Sequence, residues 1–213
     1  MKKSFAALLT ALVFITGCST KKEVEYNKPA IYWYQKIIKK ISVGDLDKAD
    51  EYFTSLQSEH IGSPFLAEAM LMLAKAHMEN EEYLLAQFYL DEYIKRYATY
   101  RKREFAEYLK IKASFLGFKN LYRDQKLLMD TIKDANGYLE KYPDSEFVPL
   151  VQTILTKLYM AEFILNKEIV SLYKRRGKPE AAKIYEERLK SSWINDNEIL
   201  RPESAWYEKM LDW

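Results

Sequence analysis

Apolar residues recur along this chain at intervals of three and four, and strand-like alternation is nearly absent. Residues 31–42 carry Trp33, Tyr34, Ile37, Ile38 and Ile41, a stripe on one face of a helix. "VGDLDKA" interrupts it. Gly44 can take the left-handed conformation that ends a helix, and Asp45 can cap the next. A second helix over 46–57 carries Leu46, Ala49, Phe53 and Leu56. "HIGSP" is a turn. Residues 65–80 then carry Leu66, Ala69, Met70, Leu73, Ala74 and His77, and residues 82–97 carry Leu85, Ala86, Tyr89, Leu90, Tyr93 and Ile94. The pattern predicts helices over 102–120 (Phe105, Leu109, Lys112, Leu116) and 124–142 (Leu128, Thr131, Ile132, Ala135, Tyr138, Leu139). Pro143 stops the latter, because the residue before a proline disfavours helix. A long helix over 147–176 ends at Gly177. Pro179 opens another that runs to about residue 193, and a short amphipathic tail holds Trp206, Met210 and Trp213.

These are helical hairpins in tandem, four of them with a tail. In each, the second helix pairs a small residue with a larger one four later: Ala49/Phe53, Ala86/Leu90 and Ala181/Tyr185, with Thr131/Ala135 departing in the third. A small residue there lets two helices approach closely. The equivalent positions lie 37, 45 and 50 residues apart (49 to 86, 86 to 131, 131 to 181). Tetratricopeptide repeats have a period of about 34 residues, so these hairpins are extended relatives of that unit. The expected fold is all-α: tandem hairpins of tetratricopeptide-repeat type in a curved, elongated solenoid.

The N-terminus reads differently. Met1-Lys2-Lys3-Ser4 is basic, and the apolar run from Phe5 to Ile15 is too short to span a bilayer, which takes roughly 20 residues. It has the length of a signal-peptide core. Ile15-Thr16-Gly17-Cys18 resembles the lipobox of bacterial lipoproteins. That resemblance implies cleavage before Cys18, lipid on its sulfur and acylation of its amine. Ser19 stands where an aspartate would signal inner-membrane retention, which favours the outer membrane by the same analogy. The expected organisation is a signal peptide over 1–17, a lipidated flexible tether over 18–29, an N-terminal repeat pair over 30–100, and C-terminal repeats with the tail over 101–213.

Charge and chemistry narrow the function. Lys2 and Lys3 leave with the signal, so the 33 basic and 31 acidic side chains come into balance. No basic excess suggests nucleic acid, and the export signal argues against it too. Cys18 is the single cysteine, so a lipidated chain has no disulfide and no thiol nucleophile. His60 lies in a turn and His77 on an apolar face, where it reads as a packing residue. Neither has a third ligand at zinc spacing. The six glycines never cluster as a phosphate cradle. No cofactor, metal or catalytic residue is expected. The cluster "LYKRRGKPEAAK" has two readings: cations favouring the helix dipole in the last turn, or a docking surface for an acidic partner. Tyr32, Tyr83, Tyr97 and Tyr100 lie off the main stripes and could line a peptide groove.

The order of parts resembles the BamD family of outer-membrane assembly lipoproteins. The run "YLEKYPDSEFVPLVQTILTKLYMAEFILNKEIVSLYKRRGKPEAAKIYEERL" carries most of it, with its "YPDS" turn, its long helix, and Tyr173, Arg176 and Gly177 at that helix's end. The resemblance implies a non-enzymatic scaffold on the periplasmic face of the outer membrane. Its partners would be a BamA-like barrel subunit, other assembly lipoproteins and unfolded outer-membrane protein clients. Partner docking would fall to Arg175, Arg176, Lys183, Tyr185 and Arg188, and client capture to the groove of residues 31–97 with the four tyrosines. Tyr185 stands where the family carries a basic residue, and Lys183 and Arg188 lie near it as substitutes. The alternative is a repeat lipoprotein that scaffolds cell-wall enzymes.

Overall fold

The computed structural model describes residues 25–194. The expected signal peptide, Cys18 and the expected tail helix lie outside them. Eight helices follow in order: α1 (Ala30–Ser42), α2 (Leu46–Glu59), α3 (Phe65–Glu79), α4 (Tyr83–Arg96), α5 (Tyr100–Gly117), α6 (Gln125–Lys141), α7 (Val148–Arg175) and α8 (Pro179–Ser191). No strand occurs among the described residues. Each helix packs on its chain neighbours, and α1 also meets α3 and α5 also meets α7. That packing, confined to helices one or two apart in the chain, makes a solenoid of stacked hairpins. The predicted helix edges hold to within three residues.

The core is built from the predicted stripes. Trp33 and Ile37 of α1, Ala49, Phe53 and Leu56 of α2, and Leu66, Met70 and Leu73 of α3 are buried in one cluster, which continues through Leu128 and Leu158 to Leu165. Ala49 and Ala86 are fully buried, so the small residues do sit where helices close on each other.

Three of the four hairpins turn in the same way. Gly44 has φ +73°, and Asp45 N donates to Lys40 O at 3.0 Å. Gly177 has φ +64°, and Lys178 N donates to Tyr173 O at 3.0 Å. In the second hairpin the residue at that position is Glu81, with φ +61°, and Glu82 N donates to His77 O at 2.8 Å. The shared geometry satisfies helix-end carbonyls and reverses the chain. The third hairpin has no such turn. Phe118 leaves α5 extended, and Asp124 Oδ2 accepts from Lys119 N at 3.1 Å and Asn120 N at 2.8 Å. Here α5 packs more extensively on α4 than on its own partner α6.

Several expectations need correction. Asp45 stands at the N-cap of α2 as expected, but no side-chain cap hydrogen bond forms; its carboxylate pairs with Lys40 Nζ at 2.5 Å across the turn. The stripe assigned to α5 is misplaced. Leu109 is buried, but Lys112 and Leu116 are exposed, and the buried set is Ala106, Tyr108, Leu109, Ile111 and Ala113. The cause is that α5 packs against α4, α6 and α7, so no single stripe describes it. Leu85 and Ile38 are exposed as well. In α8 the close approach falls on Ala182, which is buried, rather than on Ala181.

At 28 residues α7 is about 42 Å long, against about 26 Å for the 17 residues of α6. It packs on α5, α6 and α8, and it is eleven residues longer than α6, so part of it extends past that helix to meet α8. Among the described residues α7 alone has the length and apolar composition to cross a membrane. In this fold Val151, Leu155, Leu158 and Leu165 are spent on the protein core.

Candidate partner-binding surfaces

The overhang of α7 leaves room between α6 and α8. A groove of about 560 Å3 opens there, lined by Met129 of α6, by Tyr159, Glu162 and Phe163 of α7, by Arg188 of α8 and by Trp193. Burial pushes the Glu162 carboxyl above its usual range, and the Arg188 charge pulls it back only in part. The Arg188 guanidinium also lies 4.9 Å from the centre of the Tyr185 ring, which in turn sits 5.9 Å from Tyr173. Lys174 closes the hairpin with a 2.6 Å ion pair to Glu186. The groove thus offers aromatic walls with one carboxylate and one guanidinium, a pattern suited to an amphipathic partner segment.

Of the five sequence-predicted docking residues, Arg188 lines this groove and Tyr185 packs against its guanidinium. Arg175 and Arg176 are exposed at the α7–α8 turn. Lys183 is exposed on α8, about 140° round that helix from Arg188 at 3.6 residues per turn. Sequence reading missed Met129, Tyr159, Glu162, Phe163 and Trp193. Only the unusual length of the predicted seventh helix hinted that part of it would overhang its neighbours.

The four tyrosines do not share one surface. Tyr32 is tied down at the start of α1, where its hydroxyl donates to Glu25 Oε2 at 2.7 Å and its ring meets Trp33 edge-on. Tyr97 follows α4 and packs on the core, and Tyr100 opens α5, exposed, edge-on to Tyr142. Tyr83 sits at the other end of α4, about 20 Å away along a helix rising 1.5 Å per residue. Its ring lies against Gly117, where a Cβ would come within 3.4 Å of it, and Lys119 lies over the ring at 5.7 Å. Around Tyr83 a mostly apolar cleft of about 530 Å3 opens between α4, Gly117 and Leu127. Leu84 beside it is 83% exposed and Phe88 is 56% exposed, an unusual display of apolar surface for one helix. A second, charged groove of about 360 Å3 runs over α4, α5 and α6, edged by Lys110 paired with Asp91 and by Lys141 paired with Glu107 at 2.8 Å.

His77 is buried as expected, but its neighbours are polar. Its Nδ1 lies 2.5 Å from Glu82 Oε2 and its Nε2 3.1 Å from Asp50 Oδ1. Tyr89 Oη donates to the same Asp50 oxygen at 2.7 Å, and its ring stacks on the imidazole. Burial disfavours the imidazolium, yet the hydrogen bonds and charges of Asp50 and Glu82 outweigh it, so His77 is held above the usual histidine range. Burial and then the Asp50 bond push the Tyr89 phenol well up. The cluster ties α2, α3 and α4 together. The sequence pattern placed His77 on an inward face but could not show that acidic groups from two other segments meet it.

Residues 25–29, at the end of the expected tether, are fastened to the first hairpin. Glu59 accepts from Asn27 N at 3.0 Å, Lys28 N at 3.1 Å and Trp33 Nε1 at 2.7 Å. His60 Nε2 meets Lys28 O at 2.6 Å. No group of acidic, histidine and cysteine side chains among the described residues is arranged to hold a metal.

Residues 26–191 match the family described as YfiO, outer membrane lipoprotein. The outer membrane protein assembly factor BamD of Helicobacter pylori (strain ATCC 700392 / 26695) is 41% identical over 214 residues, which cover 99% of this chain and 97% of that protein. The factor of the same name from Pasteurella multocida (strain Pm70) is 23% identical over 190 residues, 87% of this chain and 70% of that protein. The one from Caulobacter vibrioides (strain ATCC 19089 / CIP 103742 / CB 15) is 24% identical over 148 residues, 68% of this chain and 48% of that protein. The first likeness runs end to end in both chains, so generic repeat positions do not account for it.

Proposed function

Because this chain belongs to the YfiO/BamD family of outer-membrane lipoproteins, we propose that it is an outer-membrane protein assembly factor. It acts as a scaffold rather than an enzyme. Lipid on Cys18 holds it on the periplasmic face of the outer membrane. The C-terminal hairpin docks a BamA-like barrel subunit, using the groove beside Arg188 and Tyr185. The repeats of the N-terminal half hold unfolded outer-membrane proteins by apolar and aromatic contacts.

The observation that carries this reading is the likeness over nearly the whole chain to a protein named for that role. The fold agrees with it: stacked hairpins offer grooves along their length for extended chains. Holding a client beside the insertion partner raises its local concentration, so modest affinity suffices. A disordered client loses entropy on binding, which keeps that affinity modest.

The test is purification of the tagged full chain from detergent-solubilised membranes, with its companions identified by mass. A barrel-assembly subunit in stoichiometric amount is expected. Cell-wall enzymes in its place would overturn the reading.

A further inference from the structure

The clasp at Glu59 fixes where the N-terminal chain leaves the fold. Asn27 N and Lys28 N are bonded to Glu59, and Lys28 O to His60. Two of the most exposed apolar side chains in the structure flank this clasp: Tyr26 is 75% exposed and Ile61 is 74% exposed. Ile31, in the first turn of α1 beside it, is 44% exposed, and Lys28 is exposed too. None of them serves the core, the docking groove or the cleft at Tyr83.

Glu25 lies seven steps along the chain from Cys18, with six residues between them. At about 3.4 Å per residue the backbone of Cys18 therefore stays within about 24 Å of that of Glu25, however the segment runs. This short leash carries Lys21 and Lys22, which suit an anionic headgroup surface.

We infer that the face formed by Tyr26, Ile31 and Ile61, with Lys28 at its edge, rests in the interfacial layer of the membrane that carries the lipid on Cys18. The inference builds on the proposed lipid anchor. Tyrosine and isoleucine side chains gain by leaving water at that depth, and a phenol keeps its hydroxyl in the headgroup layer. A patch this small binds no free membrane stably. Attached by the leash, it meets the surface at high effective concentration. The contact sets the orientation of the whole solenoid, because the clasp joins the patch rigidly to α1 and α2.

Single-cysteine labelling tests this cleanly, since Cys18 is the chain's own single thiol and lipid would block it. Ile61→Cys, Tyr26→Cys and Leu84→Cys are made in the full-length lipoprotein, purified from membranes, labelled with an environment-sensitive fluorophore and reconstituted into vesicles of phosphatidylethanolamine and phosphatidylglycerol. Leu84 is the control, highly exposed near the opposite end of the hairpins. Mass analysis reads the acylation of Cys18 in each sample. With Cys18 acylated, the labels at positions 26 and 61 are expected to shift to the blue and lose emission to quencher-bearing lipids, while the label at 84 does neither. Acylated Cys18 with all three labels in water overturns the contact and leaves the anchor standing, and equal quenching at 84 overturns it as well. An unacylated Cys18 that takes up the label itself defeats the anchor, and the contact falls with it.

Discussion

Glu81 occupies in the second hairpin the turn position that Gly44 occupies in the first, 37 residues earlier. Both have positive φ, +61° and +73°. A glycine adopts that conformation freely, whereas a side chain with a Cβ costs roughly 1–2 kcal/mol there. Glu81 gains an ion pair with Lys119 in return, but both side chains are exposed and such pairs contribute little. Glu81→Gly should therefore stabilise the protein by about 0.5–1 kcal/mol. Gly44→Ala should cost about 1 kcal/mol. A Cβ at Gly44 meets nothing within 4 Å, so its cost is that of the backbone alone. Urea unfolding of the two variants checks both signs.

His77 should make stability depend on pH. Its folded pKa is raised, so its contribution is fully present below the unfolded value of about 6.5 and fades as pH rises through the folded one. His77→Gln removes the titrating group and leaves Asp50, Glu82 and Tyr89 less well paired. The variant should be less stable than wild type by about 1–3 kcal/mol at pH 6. The gap should narrow toward pH 9. Thermal unfolding of both proteins across that range gives the answer; a gap that stays constant or widens would show that His77 is neutral in the fold.

Arg188→Glu should weaken binding of the barrel subunit by about tenfold or more, the scale of an interface residue worth above 1 kcal/mol. It should leave the helical content unchanged, because Arg188 is exposed. Lys183→Ala, on another face of α8, should change affinity by no more than about twofold. Titration of the purified partner separates these outcomes.

Cys18→Ala should abolish stable membrane attachment. One acyl chain alone anchors only marginally, and two or more anchor durably. Fractionation should find the variant released, or uncleaved at residue 17, with its far-ultraviolet dichroism still helical.

The hairpin array was legible in the sequence because each helix of the first two repeats buries one stripe, as Trp33/Ile37 and Ala49/Phe53 do. Two glycine turns were legible because Gly44 and Gly177 follow clear periodic runs. The turn at Glu81 was hidden, since glutamate gives no sign of positive φ. The buried face of α5 was hidden because three helices share it. Candidate sites were harder to read. Arg188 and Tyr185 stood out by type, but Glu162 and Met129 join Arg188 only through the overhang of α7. Asp50 and Glu82 reach His77 from 27 residues before it and 5 after it, and no periodicity in the chain announces that meeting.

The most direct test of the assembly role is depletion of the protein from growing cells, followed by measurement of folded outer-membrane β-barrels by their heat-modifiable migration. Loss of folded barrels with accumulation of their unfolded precursors, restored by the wild-type chain, is the expected result. Unchanged barrel levels after full depletion would contradict it.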